Sequence, residues 1–181
     1  NLGWLDCGGL PASLDRVFAC NTNSGIHTLV GSFLAPSFVT GMSANEIVMD
    51  VQTSGSVLAR WWELRSGLCR AGSLTSSFDF TGGPFTCYDY WQGGAIGSLQ
   101  MDAPVGNRAR IKGVFALPAG DFRITAIAEN TEVYSFKANI NSAKTVNTLC
   151  TGCQTGACIV LNSIKLNQPV TEPGGSKFVS A

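Results

Sequence analysis

The chain has 181 residues, with 12 basic and 12 acidic side chains and a formal net charge of zero. Only 13% of residues are charged while 45% are hydrophobic, which excludes intrinsic disorder, a state that needs low hydrophobicity and high net charge. No positive excess exists to displace counterions from a polyanion, so nucleic acid is not an expected partner. No uncharged apolar run approaches the ~18 residues of a membrane span.

The chain opens at Asn1 without an initiator Met, as a secreted chain would after processing. Residues 1–6 are apolar and read as a possible N-terminal arm carrying Leu2, Trp4 and Leu5. Two-residue alternation then dominates, the signature of half-buried strands. Residues 15–21 carry Val17 and Phe18. In 27–34, Leu29, Gly31 and Phe33 alternate with Thr28, Val30 and Ser32, and Ile47, Met49 and Val51 alternate with Val48, Asp50 and Gln52. Shorter strand candidates are 57–64, 74–80 and 122–128, whereas glycines mark 88–100 as a loop holding at most one helical turn. Residues 109–117 place Ile111, Gly113, Phe115 and Leu117 on one side; 132–140 alternate throughout. In 158–166 the alternation breaks at Asn162-Ser163, which predicts a bulge.

Turn signals such as Asn23-Ser24-Gly25, Ala35-Pro36-Ser37 and Pro104-Val105-Gly106-Asn107 separate these runs at short intervals. The fold class expected is all-β, an antiparallel β-sandwich of jelly-roll-like form with long loops and disulfide staples. Residues 1–166 form one domain. Proline and glycine then stop the last strand, and 167–181 form a C-terminal extension whose strand-like end includes Phe178 and Val179.

Seven cysteines suit an oxidising compartment: Cys7, Cys20, Cys69, Cys87, Cys150, Cys153 and Cys158. Spacing does not fix connectivity. Proximity favours Cys7–Cys20, Cys69–Cys87 and one bond within the Cys150, Cys153 and Cys158 group, leaving one thiol either buried or bonded to another chain. Three thiolates could hold zinc only with a fourth ligand, and His27 is the sole histidine. No metal and no cofactor are expected.

Acid–base chemistry has thin support. One His and scattered carboxylates show no catalytic spacing, and no Gly-x-Ser-x-Gly elbow occurs. His27 reads as a surface or hydrogen-bonded strand residue, and the chain is not expected to be an enzyme. The aromatic residues draw more attention. Adjacent strand positions would turn one of Trp61 and Trp62 outward. Together with Tyr88, Tyr90 and Trp91 in the glycine-rich loop, it could stack on sugar rings.

The segments Phe18-Ala-Cys-Asn-Thr-Asn23, Asn107-Arg-Ala-Arg110, Tyr134-Ser-Phe-Lys137, Cys150-Thr-Gly-Cys153 and Cys158-Ile-Val-Leu-Asn162 resemble those of a family of uncharacterised secreted bacterial proteins. That resemblance implies export and cysteine-stapled β structure, and no activity or ligand.

Two functions follow as expectations. The first is a structural subunit of an extracellular filament, tube or surface layer, a homopolymer joined through terminal arms (Leu2, Trp4, Leu5, Phe178, Val179) or strand addition. Neutrality removes the repulsion that keeps copies apart. The alternative is a secreted carbohydrate-binding module whose polysaccharide partner rests on Trp61, Trp62, Tyr88, Tyr90 and Trp91.

Overall fold

A computed structural model describes residues 1–5, 13–37, 39–80, 87, 89–119, 126–169, 171 and 175–180. Its strands are β1 (Leu2–Trp4), β2 (Ile26–Leu34), β3 (Ala44–Thr53), β4 (Leu74–Ser77), β5 (Ile96–Met101), β6 (Arg108–Ala116), β7 (Glu132–Asn141), β8 (Ala157–Asn167) and β9 (Lys177–Ser180). They form two antiparallel sheets, β1-β2-β7-β4 and β5-β6-β3-β8-β9. The fold is the expected β-sandwich. Its pairing is nested: β2 with β7 encloses β3 with β6 in the sequence, and each nested pair lies in the opposite sheet.

Alternation explains how the layers face one another. In β3 the side chains of Asn45, Ile47, Met49, Val51 and Thr53 are buried, and in β6 those of Ala109, Ile111 and Phe115. These point into the space between the sheets, where Phe115 stacks on Phe136 of β7 with ring centroids 5.8 Å apart. Gly31 of β2 is required there. A Cβ at this position would lie 2.1 Å from the Phe136 ring.

Two bulges adjust the facing sets. Val48 pairs with Ser163 but Met49 with Leu161, leaving Asn162 as the extra residue, at the predicted position. Across it the inward parity of β8 switches from Leu161 to Ile164 and Leu166, all buried. In β7 the register passes from Phe136 to Tyr134, so Ser135 is unpaired in the ladder. Its carbonyl accepts the Trp91 indole N–H at 2.9 Å and its hydroxyl accepts the Asn45 amide at 2.8 Å. The bulged carbonyl is thus satisfied by a side chain in the core.

Several expectations are corrected. Residues 15–21 form no strand, and 57–64 carry a 3₁₀ turn, Arg60–Trp62, in place of one. The stretch 88–100, expected as loop, contains most of β5. Within 122–128, residues 126–128 are not strand and 122–125 lie outside the described residues.

Neither terminal segment is a free arm. Leu2, Gly3 and Trp4 pair with Gly31, Val30 and Leu29, and Trp4 is buried. Phe178 and Val179 pair with Lys165 and Ile164. Each segment carries backbone donors and acceptors that its own sheet satisfies, so each becomes an edge strand. Leu5 follows β1 and is half exposed, and Phe178 is exposed.

Cysteine proximity also misleads. Cys20 is bonded to Cys153 and Cys69 to Cys150, across 133 and 81 residues of sequence. Sandwich closure brings the turn at 150–153 against both early segments, and the Trp61 N–H is anchored there on the Thr151 carbonyl at 2.8 Å. Cys87 is also disulfide-bonded, Cys158 is a free exposed thiol, and Cys7 lies outside the described residues.

Candidate functional site

One cleft, of about 790 Å³, opens where the two sheets part at the β1 and β8 edges. Leu2 and Trp4 of β1, residues 14–18 and the first residues of β8 line it. The Cys20–Cys153 bond joins the segment after 14–18 to the turn before β8, tying the two walls together.

Behind the cleft, Phe18 sits at the centre of an aromatic corner. Its ring lies 5.6 Å from Trp4, 4.4 Å from His27, 4.9 Å from Trp61 and 5.5 Å from Trp62, in edge-to-face arrangements. Such pairs are favoured by the ring quadrupole. Arg70 closes the corner from inside the protein. Its guanidinium stacks 3.8 Å from the Trp61 centroid and donates to the carbonyls of Ala143 (3.0 Å), Trp61 (3.0 Å) and Asn141. Burial pulls the Arg70 pKa down to about 10, so the group stays charged at neutral pH.

His27 is a buried strand histidine with partners at both nitrogens. Arg16 Nε donates to Nδ1 at 3.2 Å, which places the ring proton on Nε2, 3.4 Å from the Ser142 hydroxyl. Burial lowers its pKa first, and the charges of Arg16 and Arg70 add to that. It is therefore neutral at pH 7. Among the described residues no three of His, Cys, Asp and Glu gather as a metal site.

The described residues expected to bind sugar, Trp61, Trp62, Tyr90 and Trp91, are packing residues. Both Trp61 and Trp62 are buried, because a 3₁₀ turn, unlike a strand, lets neighbouring side chains turn the same way. Tyr90 and Trp91 are buried in a separate cluster, where the Tyr90 hydroxyl accepts from the Met42 N–H at 2.8 Å and donates to its carbonyl. Tyr88 lies outside the described residues. No described member of the set offers a sugar an open ring face.

What the cleft does offer is backbone. Strand β9 pairs with β8 only from Ser163 to Leu166. On the side away from β3, residues 157–162 pair with no strand among the described residues. Ala157, Cys158 and Ile159 of this stretch line the cleft, and none of its six residues is charged. Alternate N–H and C=O groups of an unpaired edge point outward and are a template for another strand. Sequence reasoning had reached residues 158–166 as a strand but not this opening. The available signal was the mismatch between a long last run and the four strand-like residues that follow.

The outer face of the same sheet is charged and internally paired. Asp50 receives Arg110 at 2.9 Å and lies 3.9 Å from Arg108, Glu46 receives Lys165 at 2.7 Å, and Lys112 meets Asp102 at 2.7 Å. The hydrogen bonds from Arg110 hold the Asp50 carboxyl below its ordinary range.

Fold and cleft together define the chain as a disulfide-stapled β-sandwich with a partly open sheet edge. Compared with protein-family models, curated proteins and solved structures, it matches none.

Proposed function

We propose that the chain is a structural subunit of an extracellular assembly and that copies join by strand addition at the open part of β8. The observation that carries this reading is the uncharged stretch 157–162, which on the side away from β3 has no strand partner among the described residues and lies beside a cleft. Backbone hydrogen bonds would supply affinity there, and alternate side chains would supply register. The cysteine bonds favour an oxidising, extracellular setting, and zero net charge favours self-association. Terminal arms are not needed, since β1 and β9 can stay in their own sheets.

The native free thiol gives a direct test. Cys158 lies in the open stretch, so a polyethylene-glycol maleimide attached to it covers the edge without a mutation. Electron microscopy and light scattering of the untreated chain should show ordered polymers, and the capped chain should be monomeric. Untreated chains that stay monomeric at every concentration overturn the proposal. Monomers that are retained on a polysaccharide column would establish the carbohydrate-binding reading instead.

A further inference from the structure

Building on that reading, we infer that the strand added to β8 is β5 of a second copy, which makes the contact head-to-tail. β5 is the opposite edge of the same five-stranded sheet. It pairs with β6 along Ile96–Met101, and β4 of the other sheet lies close beside it without forming a ladder with it among the described residues. Its six residues match the length of the open stretch 157–162, and like that stretch they carry no charge. Each edge also opens on a recess between the sheets. The one beside β5 is about 520 Å³ and mixed in character, with Leu64, Leu74, Leu99 and Met101 beside Arg65 and Gln100.

Strand polarity selects the geometry. All neighbours in the sheet are antiparallel, and β5 and β8 stand three places apart in the order β5-β6-β3-β8. They therefore run in opposite senses. An antiparallel join of β8 to the second copy's β5 leaves both copies pointing the same way. The operation is a displacement along the sheet with its natural twist, so it repeats without closing and generates a filament. Joining β8 to β8 would instead need a two-fold axis and would stop at a dimer.

Electrostatics permits the approach. On the outer face of the sheet, Asp50 is paired with Arg110 and Asp102 with Lys112 within each copy. Two uncharged strand segments would meet between two molecules of zero net charge.

Caps on the two edges separate the possibilities. One preparation carries the maleimide polymer on native Cys158, which closes β8 and leaves β5 free. The other is the double variant Cys158→Ser, Ser98→Cys capped at residue 98, an exposed position of β5, which closes β5 and leaves β8 free. Each preparation alone should be monomeric by light scattering. Mixed in equal amounts they should form complexes of two chains, a twofold rise in chain number that does not continue. If the preparation with free β8 dimerises alone, the join is β8 to β8 and the inference is wrong. Mixing that leaves only monomers also overturns it. Failure of the untreated chain to polymerise is a separate result, and it removes the proposed function itself.

Discussion

The aromatic corner and the open half of β8 lie on the two sides of one cleft, yet the chain uses them in opposite ways. Around Phe18 every ring has a ring beside it, and the cation stacked on Trp61, Arg70, spends its donors on three carbonyls. Along 157–162 the side chains are ordinary, but one row of backbone groups lacks a strand partner among the described residues. The difference teaches that residues rich in chemistry can be consumed by packing. Availability for a partner is a property of topology, and it can fall on residues of no special type.

Four changes should sharpen or break that contrast. The largest effect belongs to Arg70→Ala, which strips a buried cation and orphans three carbonyls, at a cost of about 4 kcal/mol in urea unfolding. A loss below about 1 kcal/mol would mean that water satisfies those carbonyls and that the corner is not closed. Phe18→Ala comes next, at about 3 kcal/mol, because it empties the space between four rings. Chains of this variant that remain folded should assemble normally, since the edge is untouched.

The third change is pH. His27 binds its proton less readily in the folded protein than in the unfolded chain, whose value is near 6.5. Stability conferred by the neutral ring is therefore complete at pH values above 6.5 and is lost as pH falls through and below that value. Thermal unfolding followed from about pH 7.5 to 5 should show a declining midpoint, with a flatter profile in His27→Gln. Equal slopes in the two proteins would assign the acid sensitivity to other groups.

Val160→Lys should have the smallest effect on stability, within about 0.5 kcal/mol, since this side chain is half exposed on the outer face. Its effect on assembly should nevertheless be marked, because lysine is a residue with which natural edges discourage pairing. A variant that polymerises as well as the parent would place the contact elsewhere.

Elements whose side chains obey a simple period were legible in the sequence, and so was a local failure of that period. The bulge at Asn162 is the clearest case, because an extra residue must shift the inward set by one. β5 was hidden by its glycine. Gly97 presses so closely on β6 that a Cβ would stand 2.0 Å from the Val114 carbonyl, so a residue that reads as a loop marker is there for close approach. The double tryptophan misled because alternation was applied to what is a turn. Cysteine partners and open edges were illegible for a shared reason. Both depend on which distant segments the closed sandwich brings side by side, and nearest-neighbour spacing carries no record of that.

The long-range cysteine bonds also constrain the order of events during synthesis. Cys20 and Cys69 are made before their partners Cys153 and Cys150, which follow 133 and 81 residues later. Until those partners are made, these two thiols have only incorrect mates within reach, so a chain oxidised too soon would be locked into wrong pairs. Correct maturation must wait for β7 to be made and the turn that follows it to appear, which ties covalent completion to the emergence of that turn.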